Sequence, residues 1–88
     1  MGIMRLDKFL KVSRMIKRRT LAKEVCDGGR VTINEKVAKA SSEVKAGDVL
    51  AIRFGQKIVT AKIERIADNV SKDLADTLYT IVKEEVVT

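Results

Sequence analysis

Nine of the first thirty residues are cationic: Arg5, Lys8, Lys11, Arg14, Lys17, Arg18, Arg19, Lys23 and Arg30. Only Asp7, Glu24 and Asp27 oppose them there, so this segment carries a surplus of six. From Val31 onward nine Lys/Arg meet nine Asp/Glu, and the whole net charge of +6 is confined to the first third of the chain. Guanidinium and ammonium groups at this density bind phosphate. A chain that was basic only for solubility would spread its charge, whereas a concentrated field attracts a polyanion, with nucleic acid the leading candidate.

Other chemistry is thin. With no histidine and one cysteine, Cys26, the chain has no zinc-ligand cluster and no Ser-His or Cys-His couple. Glu84-Glu85 and the pair Asp73 and Asp76 lie in polar stretches without a pocket to tune them as acid and base. The chain therefore reads as non-enzymatic, with no catalytic residue, metal or cofactor. Its 88 residues suffice for one small domain, which buries about 60–65% of its unfolded surface. A single cysteine suits a reducing compartment, and no apolar run approaches the ~20 residues of a membrane span. A soluble, cytoplasmic monomer is expected.

The elements that must position the cations follow from apolar spacing. Leu6, Phe9, Leu10, Ser13 and Ile16 share one helical face, which predicts a helix over 5–16. Lys8, Lys11 and Arg14 fall on the other face, with Asp7 among them. Leu21, Ala22, Val25 and Cys26 repeat the pattern in a second helix over 19–27, stopped by Gly28-Gly29. The period then drops to two. Strands are expected over 31–34, 49–54 and 58–66, with turns at Asn34-Glu35-Lys36, Ala46-Gly47-Asp48 and Gly55-Gln56-Lys57. Residues 68–76 are polar with room for a helical turn, 79–82 return as a last strand, and 84–88 are expected to fray. The sum is α+β: a basic helical hairpin on a small antiparallel sheet.

Four stretches, in order, resemble the S4 RNA-binding family: Arg5-Leu6-Asp7-Lys8-Phe9-Leu10, Arg18-Arg19-Thr20-Leu21-Ala22-Lys23, Gly29-Arg30-Val31-Thr32-Ile33-Asn34 and Val44-Lys45-Ala46-Gly47-Asp48-Val49. Arg53-Phe54-Gly55 and the stretch from Ala75 to Tyr79 are similar to the tail of its small single-domain branch. That branch includes S4 heat-shock proteins and P-site tRNA factors of ribosome-associated quality control. The resemblance implies an N-terminal extension over 1–4, the S4 domain over 5–66 and a C-terminal extension with a short strand over 67–88. It also implies binding to rRNA of a stalled large ribosomal subunit and to peptidyl-tRNA, while a partner factor adds a C-terminal alanine tail. Arg5 and Arg19 match the arginines that the family uses on large-subunit RNA. The sequence departs from the family pattern at Glu35, where glycine is frequent, and at Arg18, where a capping serine is frequent.

Each cation also has an ordinary structural reading. Lys17 and Arg18 could close the first helix, where the dipole favours positive charge, but Arg19 opens the second, where the dipole disfavours it. A phosphate there would accept free backbone N–H groups and relieve the repulsion. Phe9, Leu10, Leu21 and Val25 read as core, and Cys26 as a small buried hydrophobe. Three aromatic residues in all are too few for base stacking as the main mechanism, so phosphate positions and folded RNA shape fit better. Two other readings stand beside this one. An S4 module could deliver a separate RNA-modifying enzyme or act in ribosome assembly. The second helix could enter duplex DNA, although its exposed positions offer neither Asn nor Gln to read adenine.

Overall fold

Helix α1, Leu6–Val12, forms where Leu6, Phe9 and Leu10 come together on one face, and all three are fully buried. It ends four residues earlier than the apolar spacing predicts. Arg14 takes the left-handed conformation (φ 62°), its N–H donating to the Lys11 carbonyl oxygen at 3.1 Å. Ser13 and Ile16 remain buried because the turn folds them back onto the same core, which imitates another helical period. The structure, a computed structural model, describes residues 2–87. Met1 of the expected N-terminal extension and Thr88 of the expected frayed end lie outside the described residues.

Helix α2 spans Arg19–Asp27, as the spacing predicts, and buries Ala22 and Cys26 against α1. Gly29 (φ 76°) supplies the left-handed residue that reverses the chain, with its N–H donating to Cys26 O. Around this hairpin lie short pairings and one five-stranded antiparallel sheet. Strand β1 (Met4–Arg5) pairs with β4 (Glu43–Val44), a two-residue ladder with no periodic signal in the sequence. The larger sheet comprises β2 (Val31–Ile33), β3 (Lys36–Val37), β5 (Val49–Phe54), β6 (Lys57–Ile63) and β7 (Tyr79–Val86), in the order β3-β2-β5-β6-β7. A 3₁₀ segment, Lys72–Leu78, precedes the last strand.

One core joins hairpin and sheet. Leu50 and Ile52 of β5, Val59, Ala61 and Ile63 of β6 and Val31 of β2 point into it at the period of two expected for strands. Met4, Val44 and Leu78 complete it, and Tyr79 packs at its margin. Two strand limits differ from expectation by more than one residue. Strand β6 stops at Ile63, after which the N–H groups of Glu64 and Arg65 both turn to the Leu78 carbonyl oxygen. Strand β7 runs on through Glu84 and Glu85, which pair with Val59 and Ile58. Charged side chains suit an edge strand, and Glu84 meets Lys57 at 3.2 Å. Among the described residues no helix is long and apolar enough to cross a membrane.

Candidate nucleic-acid interface

The hairpin sorts its cations by what they touch. Asp7 stands one residue into α1, at the edge of the apolar face, and α2 packs over it so that only 4% of its side chain is exposed. Its placement among the outward-facing cations is thus corrected: Asp7 lies beneath them. Oδ1 accepts from Arg5 Nε at 3.1 Å, while Oδ2 accepts from Arg5 Nη2 at 3.3 Å and Arg19 Nε at 3.4 Å. The Lys8 backbone N–H adds a bond of 2.8 Å to Oδ1. Burial alone would raise the Asp7 carboxyl, but the hydrogen bonds and positive charge of Arg5 and Arg19 bring it below its ordinary value.

Asp7 therefore anchors two arginines without cancelling them. One carboxylate faces two guanidinium groups, each half exposed, so a positive charge remains. Arg19 gives Asp7 only its Nε; among the described residues its two terminal nitrogens have no protein acceptor. The same carboxylate explains why a cation stands at the start of α2 against the helix dipole. Lys23, one turn beyond Arg19 on that helix, extends the stripe and forms no ion pair among the described residues.

Lys8 behaves differently, with Nζ 2.9 Å from Asp68 Oδ1 in the segment after β6. No ion pair among the described residues holds Lys11, Arg14, Lys17, Arg18 or Arg30. Arg18 is the N-cap of α2, where its side chain makes no cap. The first N–H groups of α2 thus lack the side-chain acceptor that serine would supply.

A second feature had no signal in the charge count. Between α2 and the β5–β6 turn lies a cleft of about 460 Å³, with Leu21, Val25 and Phe54 in its lining and Lys17, Arg30 and Arg53 around them. Leu21 is therefore not core: it is 49% exposed, because the α2 face that carries it opens on this cleft. Val25 is half-buried, while Phe9 and Leu10 are core as expected. Arg53 belongs to the charge-balanced part of the chain, and only its β2–β5 pairing reveals that it joins the first-third cations. Cys26 is buried, and burial, with Asp7 and Asp27 nearby, pushes its thiol up to about 12, so it stays protonated.

The S4 domain family model matches residues 4–50, which hold the helical hairpin and the chain up to the start of β5. The chain belongs to the S4 domain family. Over 82 residues this S4 chain is 65% identical to the RQC P-site tRNA stabilizing factor of Halalkalibacterium halodurans, covering 93% of each protein. It is 63% identical over 82 residues to the protein of the same name from Bacillus subtilis, covering 93% of this chain and 95% of that one. Among solved structures, trimeric heat shock protein 15 of Vibrio cholerae matches with a TM-score of 0.83 at 36% identity, covering 91% of this chain and 82% of that one. The expected α+β architecture is the one that this fold displays.

Proposed function

We propose that this S4 protein is a non-enzymatic RNA-binding factor of ribosome-associated quality control. In this reading it binds rRNA of the obstructed large ribosomal subunit together with P-site peptidyl-tRNA, and so supports C-terminal alanine tailing by a partner factor. The observation that carries the reading is the fate of the nine cations after folding. Six form no ion pair among the described residues, and Arg5 and Arg19 share one carboxylate. Uncompensated positive charge concentrated in the first third of the chain is the footprint of phosphate binding. The names of the relatives supply the biological setting, and they support a ribosome-associated, tRNA-binding role. Because this chain covers 93–95% of those relatives, a fused enzyme domain has no place in them. Those relatives are thus of single-domain size, which supports a factor that acts without a fused enzyme.

The test is co-sedimentation with purified large subunits carrying P-site tRNA. Changing Arg5 and Arg19 to alanine would leave Asp7 buried without its partners and confound binding with folding. The triple variant Asp7→Asn/Arg5→Gln/Arg19→Gln removes the charges but keeps hydrogen-bonding groups in place. Its binding is expected to fall by an order of magnitude or more, consistent with the loss of about two phosphate contacts. Co-sedimentation equal to the parent's would overturn the assignment of Arg5 and Arg19.

A further inference from the structure

Two arginines face one another across the sheet. Val31 and Ile52 are ladder partners whose side chains point into the core. Arg30 and Arg53, the next pair outward, therefore lie on the opposite face, with Arg53 N–H donating to Arg30 O at 2.9 Å. Like charges directly opposite in an antiparallel ladder repel, and among the described residues neither arginine forms an ion pair. Arg53 Nε is held by the Gly55 carbonyl oxygen at 3.1 Å, which keeps the guanidinium over the β5–β6 turn. An anion seated between the two arginines would convert this repulsion into attraction.

The surroundings say what kind of anion. On one side, Arg30 and Arg53 border the cleft lined by Leu21, Val25 and Phe54, with Lys17 at its edge. Phe54 is 39% exposed, which is unusual for an aromatic side chain in a protein with only three. On the other side, the same arginines border a second cleft with Gly29 and Thr32. Among the described residues neither lining contains an acidic side chain. A polyanion can thus cross the arginine pair from one cleft to the other, and it needs a flat apolar group one step from its charge. A nucleotide has that form.

We propose that this cleft holds one unpaired nucleotide of the bound RNA, its base against Phe54 and Leu21 and its phosphate between Arg30 and Arg53, with Lys17 alongside. The proposal rests on the RNA-binding reading above and adds a subsite to it. It also assigns Phe54 the base-stacking role that the scarcity of aromatics makes unexpected for the surface as a whole. An acidic peptide with an apolar anchor is the competing occupant, and the crosslinking below distinguishes it from a nucleotide.

The experiment compares the parent with Phe54→Leu and Arg53→Gln on tRNA-bearing large subunits, across a salt titration. Thermal melting of each variant confirms that these partly exposed positions leave the fold intact. Phe54→Leu is expected to weaken binding about fivefold with an unchanged salt slope, because it removes stacking and no charge. Arg53→Gln is expected to weaken binding and to make the log–log slope shallower by about 0.7–0.9, the share of one phosphate. In parallel, the parent bearing a benzophenone amino acid at position 54 is irradiated on the subunits. A nucleotide adduct at that position supports the subsite; an adduct to a ribosomal-protein peptide overturns it. Parent-like affinity and slope in both variants would also overturn it while leaving the RNA-binding reading intact. If the parent itself fails to bind, the RNA-binding reading fails.

Discussion

Asp7 in α1 holds Arg19 at the first position of α2, carboxylate to guanidinium at 3.4 Å, across twelve residues of chain. The contact ties the two helices together and sets the direction of an arginine in the proposed interface. Its pH dependence has a definite sign. The Asp7 pKa is lowered in the folded state, so its contribution to stability is present above the unfolded carboxylate range, near 4, and is lost as pH falls through the folded value. Asp7→Asn should therefore cost about 1–2 kcal/mol at pH 7, at the low end for charged hydrogen bonds because both arginines are half exposed. Below the folded pKa the variant and the parent should converge. Urea unfolding at pH 7 and through the acid range measures both, and a constant difference down to the lowest pH would contradict the assigned role.

Binding to tRNA-bearing large subunits should depend steeply on salt. Four to six phosphate contacts release that many counterions and give a log–log slope of roughly −3 to −5. Lys8 should contribute least among the nine cations, because Asp68 already holds its ammonium at 2.9 Å. Lys8→Gln is expected to change the slope by less than Arg18→Gln, whose cation has no ion pair among the described residues. A filter-binding titration between about 50 and 200 mM salt resolves slopes of this size.

Local features were legible in the sequence, whereas contacts between distant segments were not. The bounds of α2 followed from a repeating apolar spacing and the double glycine, and the span expected for β5 is the one observed. Asp7 was misread because it lies about 100° around the helix from Leu6, where the two faces meet. Only the packing of α2 decides that such a position is buried. The Lys8–Asp68 pair joins residues sixty positions apart, and the Arg30–Arg53 pair needs the β2–β5 register. Leu21 obeys the helical period yet faces a cleft, because periodicity reports a face and not what covers it. The extension of β7 was missed because Glu84 and Glu85 read as solvated, which an edge strand permits.

The turn between β2 and β3 carries a correctable strain. Asn34 (φ 50°) and Glu35 (φ 72°) both adopt the left-handed region, the pattern of a tight hairpin turn that favours Asn-Gly. Asn34 gains from the arrangement, since its side chain donates to Asp48 at 3.1 Å and accepts from the Val49 N–H at 2.9 Å. Glu35 is exposed, and no ion pair or side-chain hydrogen bond holds it among the described residues. Glu35→Gly should stabilise the fold by about 0.5–1 kcal/mol, the left-handed penalty less the extra freedom of glycine in the unfolded chain. The urea midpoint should rise with an unchanged m-value. A fall in the midpoint would mean that Glu35 makes a compensating contact.

Arg14 presents the same backbone problem with a different resolution. At φ 62° it ends α1 in a conformation where glycine is the usual residue, and its side chain forms no ion pair among the described residues. Folding alone therefore does not account for an arginine at this position, while the proposed phosphate contact would. Arg14→Gly separates the two demands because they have opposite signs. Stability should increase by several tenths of a kcal/mol as the left-handed strain is relieved. Affinity for tRNA-bearing subunits should decrease, and the salt slope should become shallower by about 0.7–0.9. Arg14→Lys, which keeps the charge and the strain, should retain most of the binding with parent-like stability. If Arg14→Gly bound as tightly as the parent, Arg14 would be a helix terminator only and would leave the interface.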